Sequence, residues 1–186
     1  GSFRGGLPTN GNYVIFDGCR IEGGGQGIGG NAPANLLLCD NEVSDCSFFF
    51  DGNSYGGYQS CHGIRIKRNR LTNVGALARI QAYGRPGEDY AGRRNVIAGN
   101  VGKGVERVLL VTEKVAIADT VITGNKIQGK TLPTVRVPAA VAERSRIVVE
   151  NNELSGAGKA LVVNAKGEPL KIKGLVVRDN RINAGE

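Results

Sequence analysis

A phrase centred on asparagine recurs along the chain and constrains its fold more than any other feature. The clearest copy spans residues 121–129, where two aliphatic residues lead to Asn125 and Ile127 follows it. The equivalent positions are held by Cys19, Asn41, Asn69, Asn100, Asn125, Asn152 and Asn180, at spacings of 22 to 31 residues. Irregular periods of this size are typical of a solenoid whose turns carry loops of different length.

The residues before each repeat position alternate as in a β-strand. The third residue before it is apolar in every copy: Phe16, Leu38, Ile66, Ile97, Ile122, Val149 and Val177. The fifth residue before it is also mostly apolar, with Asn95 and Thr120 as exceptions. A period of two with many β-branched residues predicts strands rather than helices. Because a second apolar run follows each bend, every turn should supply at least two short strands.

The asparagines have a physical role where the strands bend. Backbone groups that leave a strand ladder inside a dry corner need other hydrogen-bond partners. An Asn side chain offers two donors and an acceptor, and Asn tolerates the left-handed backbone that such bends often require. Amides stacked at one height in successive turns should form a ladder that fixes the register of the strands.

With these Asn-x-aliphatic turns, residues 13–186 resemble the right-handed parallel β-helix proteins of the pectate-lyase-like superfamily. The resemblance implies an all-β solenoid of about seven coils with an asparagine ladder. We expect one domain over residues 13–186, after an irregular lead-in at residues 1–12 that opens with a Gly-Ser pair typical of cloning. We also expect a piece of a larger protein that is extracellular, periplasmic or virion-associated, although no targeting signal is present in this sequence.

Charge and composition narrow the range of partners. The 24 Lys and Arg residues outnumber the 17 Asp and Glu residues, and the net charge of +7 favours acidic partners such as uronate polysaccharides. Nucleic acid is not an expected partner, because the basic residues are interspersed with acidic ones and no nucleic-acid-binding motif occurs. No apolar stretch approaches the length of a membrane span. The four cysteines, Cys19, Cys39, Cys46 and Cys61, favour buried thiols over disulfides, and their spacing does not indicate a metal site.

The most basic segment of the chain, residues 61–70, contains candidate catalytic residues. In the polysaccharide lyases of the superfamily that the chain resembles, a Lys or Arg abstracts the proton beside a uronate carboxylate, and basic neighbours, often with calcium, neutralise that carboxylate. The resemblance implies Lys67 as the base and Arg65 and Arg70 as the carboxylate-binding residues, with His62 nearby. Calcium rests on the resemblance alone. A solvated basic face is the alternative, and we find no pair of carboxyl groups suited to glycoside hydrolysis.

Two long loops, residues 51–59 and 83–94, follow the second strand in adjacent coils and should therefore be neighbours. The predicted substrate-binding residues in and beside them are Tyr55, Tyr58, Tyr83, Tyr90, Arg85 and Arg93. Tyrosine rings stack on the faces of sugars, and arginines bind hydroxyl or carboxylate groups. The alternative is that these loops are ordinary Gly-rich surface excursions.

The fourth residue before each repeat position should face outward, and this row is nearly all aliphatic. Its members are Ile15, Leu37, Arg65, Val96, Val121, Val148 and Val176, which we call the outer stripe. Long exposed apolar patches usually mark an interface. The resemblance extends to homotrimeric phage tailspikes with this fold and implies a homotrimer. The alternative is that the valines reflect strand propensity alone.

Three functions are consistent with these features. The first is a carbohydrate-interacting β-helix domain of an extracellular or virion protein, which engages an acidic polysaccharide near residues 47–94. The second is a polysaccharide lyase or C5-epimerase that acts on uronates through Lys67 and Arg65. The third is a non-catalytic structural rod of a tail fibre or surface protein. Fold alone does not choose among them.

Overall fold

A computed structural model describes residues 2–4, 7–8, 13–54, 61–82, 92–112 and 116–185 of the chain. The first strands in these residues are β1 (Ser2–Arg4), β2 (Leu7–Pro8), β3 (Ile15–Asp17), β4 (Arg20–Glu22), β5 (Gln26–Asn31), β6 (Leu37–Cys39), β7 (Glu42–Ser44), β8 (Phe48–Ser54), β9 (Cys61–His62), β10 (Arg65–Lys67), β11 (Arg70–Ala82) and β12 (Gly92–Arg93).

The second half of the chain continues in the same way. Its strands are β13 (Val96–Ala98), β14 (Val101–Val111), β15 (Ile117–Ala118), β16 (Thr120–Thr123), β17 (Lys126–Thr131), β18 (Thr134–Arg136), β19 (Arg146–Glu150), β20 (Glu153–Ala157), β21 (Val163–Ala165), β22 (Glu168–Pro169), β23 (Gly174–Arg178) and β24 (Arg181–Gly185). A short 3₁₀ helix spans Ala139–Arg144. In the described residues, no helix is long and apolar enough to cross a membrane.

The strands before the repeat positions form a seven-stranded parallel sheet in the described part of the chain. Its order is β3, β6, β10, β13, β16, β19 and β23, so that neighbours in the sheet are successive repeats. The predicted inward row is buried at its centre, where Leu38, Ile66, Ile97, Ile122 and Val149 are each no more than 2% exposed. The prediction of alternating strands is confirmed.

The strands after the repeat positions belong to a second, larger sheet. It contains 14 strands in the described residues, and its main path runs β1, β4, β7, β11, β14, β17, β20 and β24. A third sheet of the described chain pairs β9, β12 and β15. Together they stack as a parallel β-solenoid with an asparagine ladder, which confirms the predicted fold class, but the stack has about five turns where about seven coils were expected. The seven repeat positions match the seven strands of the first sheet, whereas fewer repeats contribute to the third sheet.

The asparagine ladder links six successive repeat positions. Asn100 shows the pattern: its Nδ2 donates to Oδ1 of Asn125 at 2.8 Å and to the carbonyl of Ile66 at 3.0 Å. Its Oδ1 accepts from the backbone N–H and the Nδ2 of Asn69, at 3.0 and 2.9 Å. The ladder residues are Asn41, Asn69, Asn100, Asn125, Asn152 and Asn180. At the first repeat, the backbone N–H of Cys19 donates to Oδ1 of Asn41, so the ladder ends there without a side-chain amide.

The left-handed backbone at the bend belongs to the residue before each ladder position, not to the asparagine itself. We expected the repeat asparagines to adopt it, and this expectation was wrong. The left-handed residues are Gly18, Asp40, Arg68, Gly99, Gly124, Asn151 and Asp179, with φ between 54° and 64°. A left-handed residue turns the chain sharply from one sheet into the next, and the asparagine that follows lies in the interior. Most of these residues are Gly, Asp or Asn, which adopt this conformation at the lowest cost.

Left-handed residues also recur at five-residue steps within a turn. In the described chain, four coils carry three of them each: Tyr13, Gly18 and Gly23; Asn35, Asp40 and Asp45; Gly63, Arg68 and Asn73; and Arg94, Gly99 and Gly104. In these four coils the strand of the seven-stranded sheet therefore lies between two left-handed corners, which limits it to three residues.

The interior of the solenoid is a single apolar cluster. Phe49 and Phe50 are the largest side chains in it, and both are fully buried. The four cysteines are free; Cys39, Cys46 and Cys61 are buried as expected, whereas Cys19 is half-buried. Burial, with a smaller contribution from Asp51, raises the pKa of the Cys61 thiol to about 12, so that this cysteine is an apolar core residue rather than a nucleophile.

Candidate functional site

The structure distributes the candidate catalytic residues over three sheets. His62 lies in β9, Arg65 and Lys67 lie in β10, and Arg70 opens β11 after the asparagine bend. Arg65 is exposed and Lys67 is half-buried, and both alternate with the buried Ile66. Arg65 and Lys67 therefore share one outer face, whereas the bend turns Arg70 onto a different face.

Arg68, between these residues, is held by a carboxylate. Its Nε and Nη2 donate to Oδ1 and Oδ2 of Asp40, the left-handed residue of the turn before, at 2.9 and 2.6 Å. This bidentate hydrogen bonding holds the pKa of Asp40 below its usual range. Asp40 also belongs, with Asp17 and Cys39, to the one cluster in the described residues whose ligand atoms could surround a metal ion. A thiol and two carboxylates, one of them paired with Arg68, do not fit calcium, which takes six to eight oxygen ligands.

The predicted tyrosine loops begin side by side. Ser54 and Ala82, the last residues of β8 and β11, pair directly in the sheet, so the segments after them start from neighbouring strands. Tyr55, Tyr58, Tyr83, Tyr90 and Arg85 lie outside the described residues. Arg93 lies in β12 of the three-stranded sheet, in register with His62 of the strand beside it.

One exposed concavity beside a predicted site residue is a groove on the face that begins at Arg70. It has a volume of about 530 Å³ and crosses β11, β14, β17 and β20. Its polar side chains come from two outward rows: Arg70, Lys126 and Glu153 in one, and Thr72, Lys103, Gln128 and Ser155 in the other. We call this surface the basic groove, because its three cations outnumber its single carboxylate.

The row that contains Arg70 has a regular pattern of charge. It consists of the residue after each ladder position: Arg20, Glu42, Arg70, Val101, Lys126, Glu153 and Arg181. Cations occupy every second place, and a carboxylate or a valine lies between them. Lys126 Nζ is 3.1 Å from Glu153 Oε2, but 67% of the lysine side chain remains exposed. The lysine can therefore reach a ligand in the groove at little cost, because exposed ion pairs are weak.

A second polar cluster lies on the strands that lead into the tyrosine loops. Asp51 of β8 is fully buried and accepts hydrogen bonds from Gln26, Arg79 and Gln81 on the strands to either side. The Arg79 guanidinium also lies 3.7 Å from the centre of the Phe48 ring. Both oxygens of Asp51 accept two hydrogen bonds each, which leaves no free lone pair for a cation. We interpret the cluster as a set of side-chain hydrogen bonds that holds β5, β8 and β11 together.

Sequence reasoning missed most of the basic groove and all of the Asp51 cluster. Arg70 was selected, but together with Arg65 and Lys67 rather than with Lys103 and Lys126. The signal was present in the sequence, since the first and third residues after each repeat position define both rows of the groove. The partners of Asp51 lie 25 to 30 residues away in turns of unequal length, so no fixed spacing reveals them.

Comparison with known proteins found no match, whether to a family model, to a curated protein or to a solved structure. The function must therefore be argued from the geometry of the chain itself.

Proposed function

We propose that this protein is a carbohydrate-binding parallel β-helix domain that engages an acidic polysaccharide in the basic groove. The observation that carries the proposal is the convergence of Arg70, Lys103 and Lys126 on one long, open concavity. Beside them, Thr72 and Gln128 offer hydrogen bonds to sugar hydroxyl groups. A shallow groove that runs across several strands suits an extended polymer better than a small molecule, which would need an enclosed pocket.

The net charge of the chain supports this assignment. With a charge of +7, the protein attracts polyanions over a distance, and the groove concentrates part of that charge where a chain can lie. The resemblance of the asparagine turns to the pectate-lyase-like superfamily implies carbohydrate as the ligand and an extracellular or virion-associated location. Both inferences belong to the proposal.

We propose binding rather than turnover. The lyase or epimerase alternative requires a base beside the cations that hold the uronate carboxylate. Lys67 and Arg65 lie on one face of the solenoid, and Arg70 lies on another. The groove contains two amines, Lys103 and Lys126, that could act as a base on a bound uronate. The binding experiment below therefore also measures whether the polysaccharide is cleaved.

The test is isothermal titration calorimetry of acidic polysaccharides against a variant in which Arg70, Lys103 and Lys126 are changed to Gln. Because exposed ion pairs are individually weak, removal of three should reduce affinity by about 3- to 100-fold. The matched control changes three exposed cations outside the groove to Gln, namely Arg144, Lys171 and Lys173.

The control keeps the same net charge as the groove variant and should bind nearly as well as the parent protein. Equal losses in both variants would show attraction by net charge alone and would refute the groove. Ultraviolet absorbance of unsaturated products in the same mixtures would rise only if the protein is a lyase. No binding and no turnover with any acidic polysaccharide would favour the structural rod.

A further inference from the structure

The alternation of charge along the Arg70 row sets the distance between neighbouring cations. Strands in a sheet lie about 4.8 Å apart, so cations at every second strand lie about 9.6 Å apart. The cations of this row are Arg20, Arg70, Lys126 and Arg181. One disaccharide of an extended pyranose chain has a similar length. The row can therefore place one cation beside every second sugar of a polymer that runs along the solenoid.

We propose that the basic groove, together with the Arg70 row that continues beyond it at both ends, selects polysaccharides in which an anionic sugar alternates with a neutral one. This inference rests on the proposed function and specifies its ligand class. Lys103 lies one strand away from both Arg70 and Lys126, in the adjacent row, where it reaches the other edge of the same polymer. The cations thus form a staggered set that follows the polymer instead of a uniform basic surface.

The residues between the cations supply the discrimination. Glu42 lies between Arg20 and Arg70, and Glu153 lies between Lys126 and Arg181. A polymer with an anion on every sugar would place carboxylates over these glutamates when its other carboxylates meet the cations. Like charges brought together in this way disfavour the wrong partner.

The middle gap in the row has a different character. Val101, between Arg70 and Lys126, is 49% exposed and carries no charge. An exposed aliphatic side chain packs well against the apolar face of a neutral sugar, and it offers nothing to a carboxylate. The row therefore favours a neutral sugar at each of its three gaps.

The experiment compares hyaluronan oligosaccharides, whose uronate alternates with a neutral amino sugar, with oligogalacturonates of the same number of sugars. Titration calorimetry of the parent protein should show tighter binding of the hyaluronan fragment, by at least about tenfold if two like-charge contacts are avoided. Changing Glu42 and Glu153 to Gln should improve binding of the oligogalacturonate more than that of the hyaluronan fragment. The difference in affinity between the two oligosaccharides should therefore become smaller. Val101→Lys should act in the same direction through a new cation in the middle gap.

The control is Glu143→Gln, which removes an exposed carboxylate from the 3₁₀ helix outside the groove. It should change the affinity for both oligosaccharides by the same factor and leave their ratio intact. Three results would overturn the selectivity and leave the proposed function standing. They are equal affinity for the two polymers, tighter binding of the oligogalacturonate, and a ratio of affinities that the Glu42 and Glu153 changes leave unaltered. Failure of both oligosaccharides to bind would overturn the proposed function as well.

Discussion

Removal of one amide from the middle of the ladder should cost much more stability than removal of the last one. In Asn100→Ala, the backbone N–H of Asn69 loses its partner, and the Nδ2 of Asn69 and the carbonyl of Ile66 each lose one hydrogen bond. Asn100 itself is 0% exposed, so that water cannot enter to replace the lost amide. The N–H left without a hydrogen bond costs about 1–3 kcal/mol and each of the other two lost hydrogen bonds about 0.5–1.5 kcal/mol, which gives a total of about 2–6 kcal/mol.

The matched variant is Asn180→Ala at the last position of the same ladder. The side chain of Asn180 makes equivalent bonds to Asn152 and to the carbonyl of Val149, but it is only half-buried. Water can reach this position, so the loss should be about 1 kcal/mol or less. Urea denaturation followed by circular dichroism measures both free energies of unfolding. Similar losses for the two variants would show that the ladder is not stabilised by the satisfaction of buried backbone groups.

Two further predictions concern the bend and the outer stripe. Arg68→Gly should raise the urea midpoint of unfolding, because glycine adopts the left-handed backbone at φ 54° with less strain than arginine. The ion pair with Asp40 that the change removes is exposed to solvent and therefore weak. A clear drop in the midpoint would mean that the ion pair stabilises the bend. We also propose that the outer stripe mediates a homotrimer, because strand pairing places its seven residues in one row, with Val176 42% exposed. Light scattering should then show a trimer. Val121→Glu should convert it to a monomer, and the control Lys130→Glu should leave it intact. A monomeric parent protein at high concentration would refute the trimer.

The ladder and the strands could be predicted because their signals are local and repeated. An inward aliphatic row ends at an asparagine in six repeats, and each of those asparagines takes the predicted place. The left-handed corner was assigned to the wrong residue, because Arg68 and Asp40 at the corner give no sign of a common conformation when each is considered alone. Compared across repeats, the same position contains Gly, Asp or Asn in six of seven cases.

The candidate site was less predictable for a different reason. Arg65, Lys67 and Arg70 are close in the sequence, and a basic run suggests a single cluster. The bend at Arg68 and Asn69 separates them onto two faces. The true neighbours of Arg70 are Glu42, which lies 28 residues earlier in the chain, and residues that lie 31 or more positions later. Residues that a solenoid brings together are found by comparing equivalent positions in successive turns, not by proximity within one turn.

The hydrogen bonds of the asparagine ladder all point the same way along the axis of the solenoid. In every step from Asn41 to Asn180, the Nδ2 of one amide donates to the Oδ1 of the amide in the following turn. The amide dipoles are therefore aligned head to tail along the axis, and each polarises the next, which strengthens the hydrogen bonds between them. The oxygen of Asn41 forms the negative end of this series, and the Nδ2 of Asn180 forms the positive end. The core of the rod thus carries a dipole along its axis, and an anionic group near Asn180 is stabilised relative to one near Cys19.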